Sequence, residues 1–254
     1  LVMKKILILL FYYNRPNLVR VALKSILEHS YSNWEIAFID DSSEEPGRPI
    51  VKEVLKEYLD RIKFYNTNDS VENRLSRGKE HGSIFGKYAQ IAVEESDADY
   101  VLMLCDDDAL YPDYLKNLDS YFEEHTDENY VYSHIHTYDP LLTPLDTNPP
   151  FEDHHLNKTW PLNPHFNIDM SQVAWRRKEF LEANIKFPYP MTANLDAVIF
   201  NQMHNSFGDC KFSGFIGEYK GMYKGGYNDQ LSHRMGKRLA ELNTPEDIYK
   251  ISIK

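Results

Sequence analysis

Apolar positions recur along the first half of the chain in two periods, one of strands and one of helices. Ile6 to Phe11 is an unbroken apolar run, as expected of a strand buried on both faces. Pro16 and Asn17 open a helix with Leu18, Val19, Ala22, Leu23, Ile26 and Leu27 on one side. Trp34 to Ile39 reads as the next strand and stops at Asp40-Asp41-Ser42-Ser43. A second helix follows Pro49, with Val51, Val54, Leu55 and Tyr58 in phase. Ile62 to Tyr65 is a short strand, Ile84 to Val93 a helix, and Tyr100 to Leu104 a strand ending at Asp106-Asp107-Asp108. After Pro112, the positions Tyr114, Leu115, Leu118, Tyr121 and Phe122 mark one more helix.

The second half is less regular. Tyr130 to Thr137 reads as a strand, and Leu195, Val198, Ile199, Gln202 and Met203 as a helix with Asp196 in its first turn. Between them, 140–164 is rich in proline and has no period, so an ordered but irregular loop is expected. Gly214 to Gly226 holds five glycines and reads as a loop or hairpin. No repeat or linker divides the chain, which argues for one domain.

Strands alternating with helices predict an α/β fold. The sheet should be doubly wound, mostly parallel and Rossmann-like, with right-handed crossovers and helices on both faces. Ligands of such sheets lie at the carboxyl ends of the strands. Three of those ends carry Tyr12-Tyr13-Asn14, Asp40-Asp41 and Asp106-Asp107-Asp108, so a site is expected there.

Composition narrows the choice. With 42% hydrophobic and 26% charged residues, a disordered tail, a fibre and a coiled coil are excluded. A net charge of −11 makes a stable nucleic-acid partner unexpected. The 18 tyrosines suit either stacking on bases and sugars or ordinary core and rim positions. Cys105 and Cys210 show no CxxC spacing and no disulfide framework, which suggests a reducing, cytoplasmic setting. Lys4-Lys5 and the apolar run after them look briefly like a leader, but no cleavage site follows. The run ends at Asn14, short of the roughly 20 residues of a transmembrane segment.

Three adjacent carboxylates repel one another, and a folded protein keeps such a cluster for a cation or as a solvated loop. All-oxygen ligands prefer Mg²⁺ or Mn²⁺, which would neutralise a diphosphate and stabilise it as a leaving group. At Asp40-Asp41, a carboxylate can accept the imide N–H of uracil or ribose hydroxyls, or it can cap the turn with Ser42 and Ser43. As a surface group at a strand end, Asp41 should carry little packing. His134 and His136 share a strand face without a third ligand, and His154-His155 is expected in solvent. Trp160 and Trp175 suit either sugar stacking or burial. Gly236-Lys237-Arg238 lacks the upstream glycine of a phosphate loop.

The segments ILILLFYYNRP, SYSNWEIAFIDDSS and YVLMLCDDDALYPDYL together resemble the nucleotide-binding half of family 2 glycosyltransferases with the GT-A fold. Among these the chain is most similar to spore-coat polysaccharide sugar transferases, a likeness that RIKFYNTNDSVENRLSRGKEHG and VYSHIHTY extend. It is close over about 4–140 and looser beyond. It implies one GT-A domain over 1–254, with a nucleotide-sugar-binding half at 4–112 and an acceptor-binding half at 113–254.

The resemblance also implies roles. Phe11, Tyr12 and Tyr13 would lie around the base and ribose, although Phe11 replaces a small polar residue common in the family. Asp41 would bind the uracil edge with Asp40 close by, and Arg77 or Lys79 would meet the base or the diphosphate. Asp106 and Asp107 fall on the acidic motif, with Asp107 touching Mn²⁺ or Mg²⁺ and Asp108 extending the cluster. Asp196 takes the place of the base that removes the acceptor's proton; by its position alone it also fits a carboxylate that complements a helix dipole. The family's frequent C-terminal Arg or His has no firm match in YKGGYNDQLSHR.

The implied activity is inverting transfer from a nucleotide-diphosphate sugar, UDP-linked, to a hydroxyl of a glycan, lipid, protein or modified base. Two rivals stand beside it. A sugar nucleotidyltransferase usually carries a glycine- and arginine-rich loop after its first strand, where YYNRPN stands here. Against a non-catalytic nucleotide-sugar-binding protein that has lost turnover, the retained aspartate triplet and Asp196 argue for catalysis.

Overall fold

The computed structural model describes residues 3–77, 83–138, 152–153, 157–165, 167–190 and 195–221. The apolar runs of the first half become β1 (Ile6–Tyr12), β2 (Trp34–Asp40), β3 (Ile62–Asn66) and β4 (Tyr100–Cys105). They are all parallel, in the order β3-β2-β1-β4. Between them run α1 (Pro16–Leu27), α2 (Gly47–Val54), α3 (Val71–Ser76) and α4 (Phe85–Glu95). Helix α2 starts before Pro49, which sits in the first turn where its missing N–H breaks no helical bond, and Tyr58 falls beyond its end.

Beyond β4 the sheet changes character. It continues through β8 (Val173–Arg176), β6 (Tyr130–Tyr138), β9 (Lys211–Gly221) and β5 (Ala109–Leu110). Strand β8 is antiparallel to β4 and β6, while β9 is parallel to β6 and antiparallel to β5. The parallel expectation thus holds for the first half, and the second half is mixed. Strand β7 (Glu152–Asp153) pairs with β6 and puts regular structure inside the stretch read as a loop. The glycine-rich stretch needs the larger correction, because its first part is strand β9 rather than a loop or hairpin. A Cβ at Gly217 would lie 2.1 Å from the Ser133 hydroxyl, so glycine there lets β9 lie against β6.

Alternate residues of β1 feed two cores. Ile6, Ile8, Leu10 and Tyr12 pack with α1, α2 and α5 (Tyr114–Glu124). Leu7 and Leu9 join α4, α6 (Arg177–Glu182) and α7 (Leu195–Phe207) on the other face. Helices therefore cover both faces, as the pattern predicts. No described helix is long and apolar enough to cross a membrane.

Helix α4 abuts the segment leading to α7: a Cβ at Gly86 would lie 2.4 Å from the carbonyl oxygen of Pro188. Helix propensity alone makes Gly86→Ala stabilising by about 1 kcal/mol. The close contact makes it destabilising by about 1–3 kcal/mol. Urea denaturation is expected to show a lower midpoint for the variant, and a higher midpoint contradicts this packing.

Candidate active site

Strand register brings four carboxyl ends to one level. Tyr12 faces Asp40, Phe11 faces Cys105, and Asp40 faces Asn66. The next residues, Tyr13, Asp41, Thr67 and Asp106, therefore share one edge of the sheet.

Asp40 serves the turn, its carboxylate accepting the backbone N–H of Ser43 (2.8 Å) and Gly47 (2.9 Å). Asp41 is buried, contrary to the expectation of a surface group. Its Oδ1 accepts the hydroxyls of Thr67 (3.1 Å) and Ser83 (2.8 Å). Tyr12 differs from its expected place too. Its ring lies in the core against Phe38 and its hydroxyl donates to the Glu45 carbonyl, so it meets the edge through its backbone, which holds the Asp41 N–H. Phe11 is half-buried against Phe85, and the Tyr13 N–H donates to Asp106 Oδ2 (2.8 Å). Arg77 pairs with the buried Asp69. Lys79, His154, His155 and 236–238 lie outside the described residues.

The triplet is divided between two cations. Arg15 Nη1 lies 2.9 Å from Asp106 Oδ1 and 2.8 Å from Asp107 Oδ2. Asp108 is fully buried, with Oδ2 on Lys220 Nζ (2.8 Å) and Oδ1 accepting the Gly221 N–H (2.9 Å). Lys220 also reaches Asp169 (3.1 Å), and the Ser171 hydroxyl stands between Asp169 and Glu218. Asp108 is thus held by protein partners, and Asp107 is the most exposed of the three.

Burial pushes the Asp106 carboxyl above its usual range, with Asp107 adding to the effect and Arg15 opposing it. Burial does the same to Asp108 against the pull of Lys220. A further cation beside these carboxylates would favour their ionised forms. Sγ of Cys105 and oxygens of Asp107 and Asp108 lie within 4.8 Å of one another. Burial holds that thiol well up, so the usable donors are carboxylate oxygens. Such a set fits Mn²⁺ or Mg²⁺.

Asp196 stands in the first turn of α7, partly exposed, with Oδ1 on the Ala197 N–H (2.8 Å). Its pKa is pushed up to about 6, chiefly by burial and then by the charge of Asp169. His165 Nδ1 bonds the Ala197 carbonyl on the same turn.

The other candidates resolve simply. His134 bonds the Lys158 carbonyl and stacks on Phe212, Trp175 is buried and Trp160 is 57% exposed. No candidate metal group among the described residues includes His134 or His136. Sequence reasoning missed Arg15, Thr67, Ser83, Asp169 and Lys220. Arg15 was visible in YYNRP, but Lys220 stood in the stretch read as a loop.

Residues 8–182 match the family model described as Glycosyl transferase family 2. The chain belongs to that family. It is 25% identical to Protein CgeD of Bacillus subtilis (strain 168) over 130 residues, 51% of this chain and 29% of that protein. It is 26% identical to Putative glycosyltransferase EpsE of the same organism over 121 residues, 48% and 39% of the two chains. The match therefore spans less than half the length of either relative.

Solved structures of the same fold include S. aureus TarS 1-349 in complex with UDP-GlcNAc (TM-score 0.60, 13% identity, 97% of this chain and 64% of that one). The mannosyltransferase PcManGT of Pyrobaculum calidifontis, in complex with GDP-Man and Mn²⁺, is another (TM-score 0.58, 17% identity, 98% and 68%). The fold is GT-A, the Rossmann-like architecture of this family.

Lys220→Met leaves the buried Asp108 and the half-buried Asp169 without their cation. Removing one partner of a buried ion pair costs about 3–5 kcal/mol. Urea titration is expected to register a loss of that order, partly recovered by adding Asp108→Asn. A variant as stable as the parent contradicts the network.

Proposed function

We propose that this chain is an inverting, metal-dependent glycosyltransferase that moves a sugar from a UDP-linked donor to an acceptor hydroxyl. The observation that carries the reading is the acidic triplet after β4, level with Asp41 at the same edge of the sheet; beside it stands Asp196, a partly exposed carboxyl whose pKa is pushed up to about 6. It feels Asp169 and Lys220, and Lys220 is bonded to Asp108. The base and the acidic cluster thus belong to one electrostatic unit. Membership of the family supports transfer over nucleotidyl chemistry, and structural relatives binding UDP-GlcNAc and GDP-Man with Mn²⁺ support a nucleotide-sugar donor. Those two relatives use different nucleotides, so the choice of UDP rests on Asp41. Residues 4–112 form the donor half and 113–254 the acceptor half of one catalytic domain. Cys105 and Cys210, both free, suit a reducing, cytoplasmic setting.

In this reading Asp41 accepts the imide N–H of the base, Arg77 lies beside it, and Asp106 faces the ribose. Asp107 would hold Mn²⁺ or Mg²⁺, which supplies the positive charge that stabilises a departing diphosphate. Asp196 takes the proton of the acceptor hydroxyl as that oxygen attacks the anomeric carbon from the face opposite the diphosphate. The bond from that carbon to the phosphate oxygen breaks, its electron pair leaves with the nucleotide, and the configuration inverts. A base near its pKa at neutral pH is well placed for this. The acceptor is a glycan, lipid, protein or modified-base hydroxyl, chosen by loops of the second half.

Calorimetry is expected to show UDP binding at least about tenfold more tightly with Mn²⁺ than in chelator; equal affinity removes the metal from the account. Asp196→Asn should lower kcat by roughly 10²–10⁴ with UDP affinity unchanged, and wild-type turnover would end its role as base. Because Asp196 works only when ionised, kcat/KM should fall about tenfold per pH unit below pH about 6 and level off above it. A profile flat through that range contradicts the assignment.

A further inference from the structure

We propose that Arg15 is a resident counter-cation that keeps the divalent ion off Asp107 until the donor arrives. One guanidinium nitrogen lies 2.9 Å from Asp106 Oδ1 and 2.8 Å from Asp107 Oδ2. It stands between the two carboxylates and neutralises charge that would otherwise draw the ion. An ion held on Asp107 at about 2.0–2.1 Å would lie close to that guanidinium, and the two cations would repel each other. Binding the ion there therefore works against Arg15 and favours its displacement.

The two basic residues of the cluster differ in this respect. Lys220 is enclosed, its side chain 8% exposed against an Asp108 with none. Arg15 and Asp107 are 16% and 13% exposed, at the reachable side of the cluster. Arg15 occupies the N-cap position of α1 yet makes no side-chain cap bond there, so its guanidinium can leave Asp107 without uncapping the helix.

A diphosphate changes the balance. Its oxygens accept a guanidinium in bidentate fashion and at the same time offer ligands to the ion. Arg15 can then move from carboxylate to phosphate without ever being unpaired in a half-buried place. Ion and donor binding become coupled, and the coupling is reciprocal. This second half rests on the proposed donor; the resident charge beside Asp107 does not.

The test is Mn²⁺ binding without nucleotide, read by electron paramagnetic resonance of the free ion, in the parent and in Arg15→Gln. The variant is expected to bind Mn²⁺ about tenfold more tightly than the parent and to lose most of the enhancement that UDP gives. Equal or weaker Mn²⁺ binding in Arg15→Gln overturns the proposal. Arg15→Lys keeps the charge and should stay nearer the parent, which shows that the resident charge, not a change in fold, sets the ion's affinity. On the parent itself, the guanidinium NMR signal of Arg15 should persist with Mg²⁺ alone and shift when Mg²⁺ and UDP are added together. A shift with Mg²⁺ alone also overturns it. If UDP leaves the parent's Mn²⁺ affinity unchanged, the coupling to the donor falls together with the donor reading. The nucleotide-free comparison then still decides the role of Arg15.

Discussion

Carboxylates gathered at the ends of parallel strands repel one another, and burying them makes each charge harder to keep. The balance of that charge organises everything around it. Asp106, Asp107 and Asp108 follow one another directly after β4, yet they are not left to face one another. Arg15 draws the first two toward the β1 end, and Lys220 draws the third toward β9. Even so, burial keeps Asp106 and Asp108 above the ordinary carboxylate range, and one more cation beside them would favour their ionised forms.

The same constraint accounts for the shape of the second half. Strand β9 runs beside β6 and ends by delivering Lys220 and the Gly221 N–H to Asp108. Lys220 then ties in Asp169, whose charge helps to lift the pKa of Asp196. Packing between β6 and β9, allowed by the missing side chain at Gly217, thus sets the electrostatics of a residue on a different element. Asp41 and Asp40 obey a milder version of the rule, since both are buried and both are satisfied by hydroxyl or backbone donors.

Much of the donor half was legible in the sequence because its strands are buried on both faces and so read as continuous apolar runs. The acidic ends of β2 and β4 marked the site for the same reason: topology alone places them together. The second half was harder to read. Strand β9 alternates small and large residues around three glycines, a pattern that local rules assign to turns, and only pairing with β6 and β5 makes it a strand. Lys220 and Asp169 were hidden with it, because their partners are distant in sequence. Tyr12 misled because a strand end alternates faces, and its ring points into the core while its neighbours meet the edge.

The central claim is that the carboxyl edge of β1, β2 and β4 holds a nucleotide diphosphate and a divalent ion together. A crystal structure grown with UDP and Mn²⁺, recorded at a wavelength where manganese scatters anomalously, tests it most directly. The account predicts one anomalous peak at about 2.2 Å from an Asp107 oxygen, with the uracil edge on Asp41 and the Arg15 guanidinium moved onto phosphate. A peak bound elsewhere, or a nucleotide away from Asp41, would contradict it.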